Sequence, residues 1–135
     1  MNYLKDLKEN GQLANPYFCL MGINAESFNE GSAVLSMDVR PDMLNGAGWL
    51  QGGVYVSLID EAMALCVYTL LNEGERIATV SETTNFYRGV REGRIIARAR
   101  VVRRGRKIIF TEGFCFLEGD ESNLLAGTTA SFAVL

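Results

Sequence analysis

From Val54 to Leu71 the chain reads "VYVSLIDEAMALCVYTLL", apolar throughout except at Ser57, Asp60, Glu61 and Thr69. A helix that is apolar all round has to be enclosed, so the remainder of the chain must wrap it. A membrane span is the rival solution. Two adjacent carboxylates at its midpoint would each cost about 2.5–3.5 kcal/mol on insertion, and no basic anchors flank the run, so a buried central helix is expected and no membrane partner. At about 100° per residue, Gly53, Ser57, Asp60 and Ala64 fall on one narrow stripe, the only small or polar face of the helix. Something approaches closely there. Asp60 then has two readings. It can hydrogen-bond to neighbouring backbone, or it can serve a function, because Asp is a poor helix former and an unpartnered buried carboxylate costs several kcal/mol.

The flanking sequence supplies the wrapping. A short amphipathic helix ends near Gly11, and Ile23 to Arg40 reads as two strands broken by the turn cluster "NEGS". In "VLSMDVR", Leu35, Met37 and Val39 alternate with Ser36, Asp38 and Arg40, as in a half-buried strand. The central helix is expected over Gly52 to Leu71, where "NEGE" stops it. Four further strands follow, at Ile77 to Tyr87, Arg94 to Arg103, Lys107 to Glu118 and Leu124 to Val134, separated by glycine turns at Gly89, Gly93, Gly105 and Gly119. One long helix among about six antiparallel strands is an α+β pattern. At 135 residues the chain is expected to be one domain, residues 1–135, without room for a DNA-reading module.

Composition narrows the chemistry. The chain has no histidine, which removes Ser-His-Asp and Cys-His arrangements, His-based metal sites and any imidazole acid or base. Cys19, Cys66 and Cys115 are odd in number, widely spaced and without a C-x-x-C pair, so free thiols in a reducing cytoplasm are expected rather than a disulfide framework or a metal knuckle. The opening "MNYLKDLKENG" lacks the apolar core of a signal peptide. A net charge of −3 exerts no overall pull toward nucleic acid.

Taken together, "N-x-x-G-x-x-Q-G-G" followed by "SLIDEAMA" resembles the hot-dog-fold acyl-CoA thioesterases of the phenylacetate-degradation (PaaI-like) type. Their usual signature is N-x-x-G-x-x-H-G-G with an acidic residue nine positions after the histidine. The matching positions are Asn45, Gly48, Gln51, Gly52, Gly53 and Asp60. The later "TVSETTNFYRGVREGRIIARARVVRRGRK" is similar to that family's strand, turn and long strand pair. The resemblance runs from about Gly22 to the C-terminus. It implies a curved antiparallel sheet wrapped around the helix and hydrolysis of an acyl-CoA thioester. No cofactor is implied, coenzyme A being part of the substrate.

In that scheme Asp60 acts as general base on water or as a nucleophile toward the carbonyl. The Gly52 N–H at the helix start polarises the carbonyl oxygen. Asn45 orients water or substrate, and Ser81 matches a family position for a water-positioning hydroxyl. Gln51 departs from the usual histidine: its amide donates a hydrogen bond but does not titrate near neutral pH. A thiolate leaves readily, its parent thiol having a pKa near ~8.5, so a proton donor is not essential.

Gln51 and Asp60 are nine residues apart, roughly 13 Å along a helix at about 1.5 Å per residue. They cannot meet one thioester from the same chain. A shared site is expected, with Asp60 and Ser81 from one subunit and Asn45, Gln51 and Gly52 from its partner. A homodimer or a dimer of dimers satisfies this. Glu61 points about 100° away from Asp60, toward a salt bridge or a subunit contact.

Nine of the 13 basic residues lie between Arg88 and Lys107. Arg98 and Arg100 share a strand face that is either a solvated face discouraging edge pairing or, with Arg88, a rim for coenzyme A phosphates. Aromatic residues are not interleaved with the run, so no nucleic-acid partner is expected. Phe86 and Tyr87 are expected at a pocket or an interface. A non-catalytic acyl-CoA-binding protein is the alternative to the thioesterase, and the two differ only by turnover.

Overall fold

The computed structural model describes residues 2–135. Helix α1 (Tyr3–Asn10) is capped by the Asn2 side chain, which accepts from the Lys5 N–H. A 3-10 turn over Gly11–Ala14 leads to α2 (Pro16–Met21), whose start is fixed by Asn15 as N-cap and Pro16 at the first helical position. Strands β1 (Asn24–Asn29) and β2 (Ser32–Asp38) form a hairpin. Its turn residues Glu30 and Gly31 both have positive φ, as a tight two-residue turn requires.

The central helix α3 runs over Gly52–Tyr68. It stops three residues short of the expected Leu71. Past Tyr68 the backbone tightens to three-residue bonds, Leu70 N–H donating to the Val67 carbonyl at 2.9 Å and Leu71 N–H to the Tyr68 carbonyl at 3.3 Å. The Thr69 hydroxyl donates to the Cys66 carbonyl and accepts the Gly31 N–H, both at 2.7 Å, tying the helix end to the β1–β2 turn. Strands β3 (Ile77–Phe86), β4 (Arg94–Arg104), β5 (Ile108–Leu117) and β6 (Leu124–Val134) lie within a residue of their expected bounds. The short α2 was not anticipated.

All neighbouring strands are antiparallel, in the order β1-β2-β4-β5-β6-β3, so the strand after α3 crosses the sheet to its far edge. This is the hot-dog fold. Leu58, Ile59, Ala62, Met63, Leu65, Cys66 and Val67 of α3 are buried against the concave face. Gly113 on β5 permits the close crossing, because a Cβ there would stand 2.8 Å from the Ile59 Cγ2 and 3.2 Å from the Arg98 carbonyl oxygen. The enclosure is one-sided. Ser57, Asp60, Glu61 and Ala64 remain half-buried and Gly53 exposed, so the small-residue stripe of α3 is the side that the chain's own sheet leaves uncovered.

Candidate active site

The site is built from the helix start outward. Residues 44–50 form a small loop closed by a bridge between Leu44 and Leu50. Within it the Asn45 carboxamide oxygen accepts from the Ala47 N–H at 2.9 Å and the Trp49 N–H at 3.2 Å. Asn45 is thus a turn former as well as a site candidate. Trp49 lies against Gly89, and the Arg91 guanidinium stacks 3.9 Å from its ring centroid.

Gln51 is the N-cap of α3. Its Oε1 accepts the Gly53 N–H at 2.6 Å, leaving the amide NH₂ as the group it can offer to a ligand. Glycine at position 53 leaves room for this bond, since a Cβ there would sit 2.7 Å from Gln51 Oε1 and the glutamine side chain would have to shift. Beside Gly52 stands Phe86, 54% exposed, its ring edge-on to Tyr55 at 5.8 Å. Together with Leu50, Tyr87 and Arg88 these residues line a cleft of about 310 Å³ at the helix N-terminus. Phe86 and Tyr87 therefore sit at a pocket, as expected.

Two turns along α3, Ser57 donates to the Gly53 carbonyl at 2.9 Å and Asp60 projects from the same stripe. Its Oδ1 is shut off from solvent with no donor among the described residues. What meets Asp60 is Glu82 of β3, a residue the sequence reading passed over. Burial, together with the Asp60 carboxyl within hydrogen-bonding reach, pushes Glu82 up to about 8. Ser81 is not brought to Asp60. It pairs with Ser131 on the outer face, whereas Glu82 pairs with the buried Ala130 on the inner one, because successive strand residues point to opposite sides.

Glu61 makes no ion pair among the described residues, contrary to one expectation. It accepts a long 3.4 Å bond from the Asn15 amide, which also donates to the Tyr3 hydroxyl at 2.9 Å. Burial and the neighbouring Asp60 charge raise Glu61 to about 7, and the Asn15 bond opposes them. Cys66 and Cys115 are buried thiols pushed up to about 12, which removes them as nucleophiles at neutral pH.

The three arginines separate. Arg88 lines the cleft beside Gly52 and lies 3.7 Å from Asp120. Arg98 and Arg100 stand on the outer face of β4, opposite α3, and are paired with Glu121 at 3.1 Å and Glu112 at 2.6 Å. Strand alternation puts them there, and their carboxylate partners would compete with a phosphate. No helix among the described residues is long and apolar enough to cross a membrane.

This fold is that of a hot-dog thioesterase. The model of the thioesterase superfamily matches residues 47–122, and the chain belongs to that superfamily. PA1618 of Pseudomonas aeruginosa is 31% identical over 103 residues, covering 75% of this chain and 71% of that protein. The crystal structure of a glutamine-to-alanine mutant of thioesterase PA1618 superposes with a TM-score of 0.84, at 26% identity over 96% of this chain and 94% of that one. Thioesterase HI1161 from Haemophilus influenzae gives 0.85 at 26% identity, over 96% and 90%. A phenylacetic acid degradation-related protein from Ralstonia eutropha JMP134 gives 0.88 at 25% identity, over 98% and 99%. Relatives of this kind support a hydrolase.

Proposed function

We propose that the protein hydrolyses an acyl-CoA thioester to the free acid and coenzyme A, at sites shared between two subunits. The observation that carries the reading is the carboxylate of Asp60 on the one uncovered stripe of an otherwise buried helix. A structural role would leave that carboxylate with a backbone or cationic partner. It has neither among the described residues.

Asp60 takes a proton from water as the water oxygen bonds to the thioester carbonyl carbon. The Gly52 N–H, unpaired at the helix start and aligned with its dipole, holds the developing oxyanion, and the Gln51 amide adds a second donor. The C–S bond then breaks, and the thiolate departs. Since Gln51 caps α3 and Asp60 lies at its middle, roughly 13 Å further along, one subunit supplies Asp60 and its partner supplies Gln51, Gly52 and the Asn45 loop. Arg88 is the cation best placed for coenzyme A phosphates, standing at the cleft beside Gly52. The oligomer is a homodimer, alone or paired into a tetramer.

The test is thiol release from short, medium, aromatic and long acyl-CoAs by wild type and Asp60→Asn. A loss of about 100-fold or more in kcat is expected for the variant. Near-normal turnover would remove Asp60 from the chemistry. Binding of acyl-CoA without release from any of them would mark a non-catalytic binding protein instead.

A further inference from the structure

Glu82 lies on β3, two residues past the irregularity between Thr79 and Ser81 that sets which residues of the strand turn inward. Its Oε1 is buried with no hydrogen-bond donor, and so is Asp60 Oδ1. The two carboxyl groups are each other's hydrogen-bonding neighbours. Ionised carboxylates only accept, so two of them in contact away from water repel. One proton between them converts the contact into O–H···O⁻, a short charge-assisted bond. Among the described residues no cation pairs with either carboxyl. On α3 the titratable neighbours are Asp60 and Glu61, and Glu61 meets Asp60, the Asn15 amide and the Tyr3 hydroxyl. On β6 the residue opposite Glu82 is Ala130, flanked on the same face by Thr128 and Phe132.

We propose that Asp60 and Glu82 share one proton and work as a carboxyl–carboxylate pair, with Asp60 the base toward water and Glu82 the positioning residue that aims it. The inference rests on the thioesterase reading for its catalytic part. The proton count closes without an outside donor. Water gives its proton to Asp60 as its oxygen bonds to the carbonyl carbon, so the pair briefly holds two protons. When the C–S bond breaks, its electron pair leaves on sulfur and one of those protons passes to the thiolate. The products are the acid and the thiol, and the pair is left with one proton as before. A carboxyl pair thereby performs the proton return for which a chain without histidine has no imidazole.

Glu82→Gln keeps a donor beside Asp60 but cannot ionise, and Glu82→Ala keeps neither. Wild-type kcat is expected to fall as the pH rises past about 8, where Glu82 loses its proton. Glu82→Gln, which has no proton to share, is expected to lower kcat by about ten-fold at neutral pH with KM within about two-fold, and to lose that alkaline limb. Glu82→Ala is expected to lose about ten-fold or more in kcat with KM within about two-fold. An alkaline limb unchanged in Glu82→Gln, or full activity in Glu82→Ala, would overturn the proposal. The proton is also read without turnover, from the carboxyl carbon resonance of Glu82 in the intact protein. A carboxyl still protonated at neutral pH supports the pair, and an ordinary carboxylate there overturns it. If wild type releases no thiol from any acyl-CoA, the hydrolase reading fails, while the resonance still decides whether the proton is shared.

Discussion

Three carboxyl groups lie close together on α3 and β3, and two of them, Glu61 and Glu82, are shifted by what surrounds them. Asp60 faces Glu82, and Glu61 next to it has only an amide for support. Glu61 and Glu82 are raised to about 7 and about 8, above the ordinary value of 4.5. The folded state therefore holds protons that the unfolded chain has already released across that interval. Stability falls as pH rises through it and levels off above the folded values. Thermal unfolding should show Tm dropping between about pH 5 and about pH 8. Glu61→Gln, which removes one of the two ionisations and keeps a partner for Asn15, should flatten the slope and raise Tm at the alkaline end. A Tm that rises with pH in wild type would contradict these assignments. At this scale the sequence displayed Asp60 clearly, through a polar residue at a helical spacing of small ones. It concealed Glu82, because one acidic residue in "TVSETTNF" carries no mark of the face it will occupy.

At the scale of elements, the crossing of α3 over β5 depends on a missing side chain. Gly113→Ala would put a Cβ 2.8 Å from Ile59 and 3.2 Å from backbone oxygen, so either the helix shifts or the strand bends. A destabilisation of about 1–3 kcal/mol is expected, read as a lower urea midpoint at unchanged slope. An unchanged midpoint would show that α3 rides more freely on the sheet than its contacts indicate. The strands were legible because alternation and glycine turns are local signals. The end of α3 was not. Leu70 and Leu71 continue the apolar run, yet the helix stops where Thr69 is claimed by the Gly31 N–H, a residue 38 positions away.

For the whole molecule, β3 is an edge strand that touches α3, whose small-residue stripe lies uncovered, and Val80 on that strand is 59% exposed. An exposed strand edge beside an apolar-flanked helix face is where a second copy would complete both sheet and site. Val80→Lys should weaken that association, giving a smaller species in size-exclusion chromatography with light scattering, and thiol release should fall with it. A monomer that retains full turnover would exclude sites shared between subunits.

The sequence by itself determined what is local: the helix start at Gly52, the long apolar helix with Asp60 on its small-residue stripe, the hairpin turns, and the exclusion of all imidazole chemistry. Tertiary structure alone decided which groups meet. Glu82 reaches Asp60 only because β3 crosses to the far edge beside β6 and an irregularity at Thr79 and Ser81 resets which of its residues face inward. Strand phase and strand order are settled by pairing across the sheet, and a linear chain holds no local record of either.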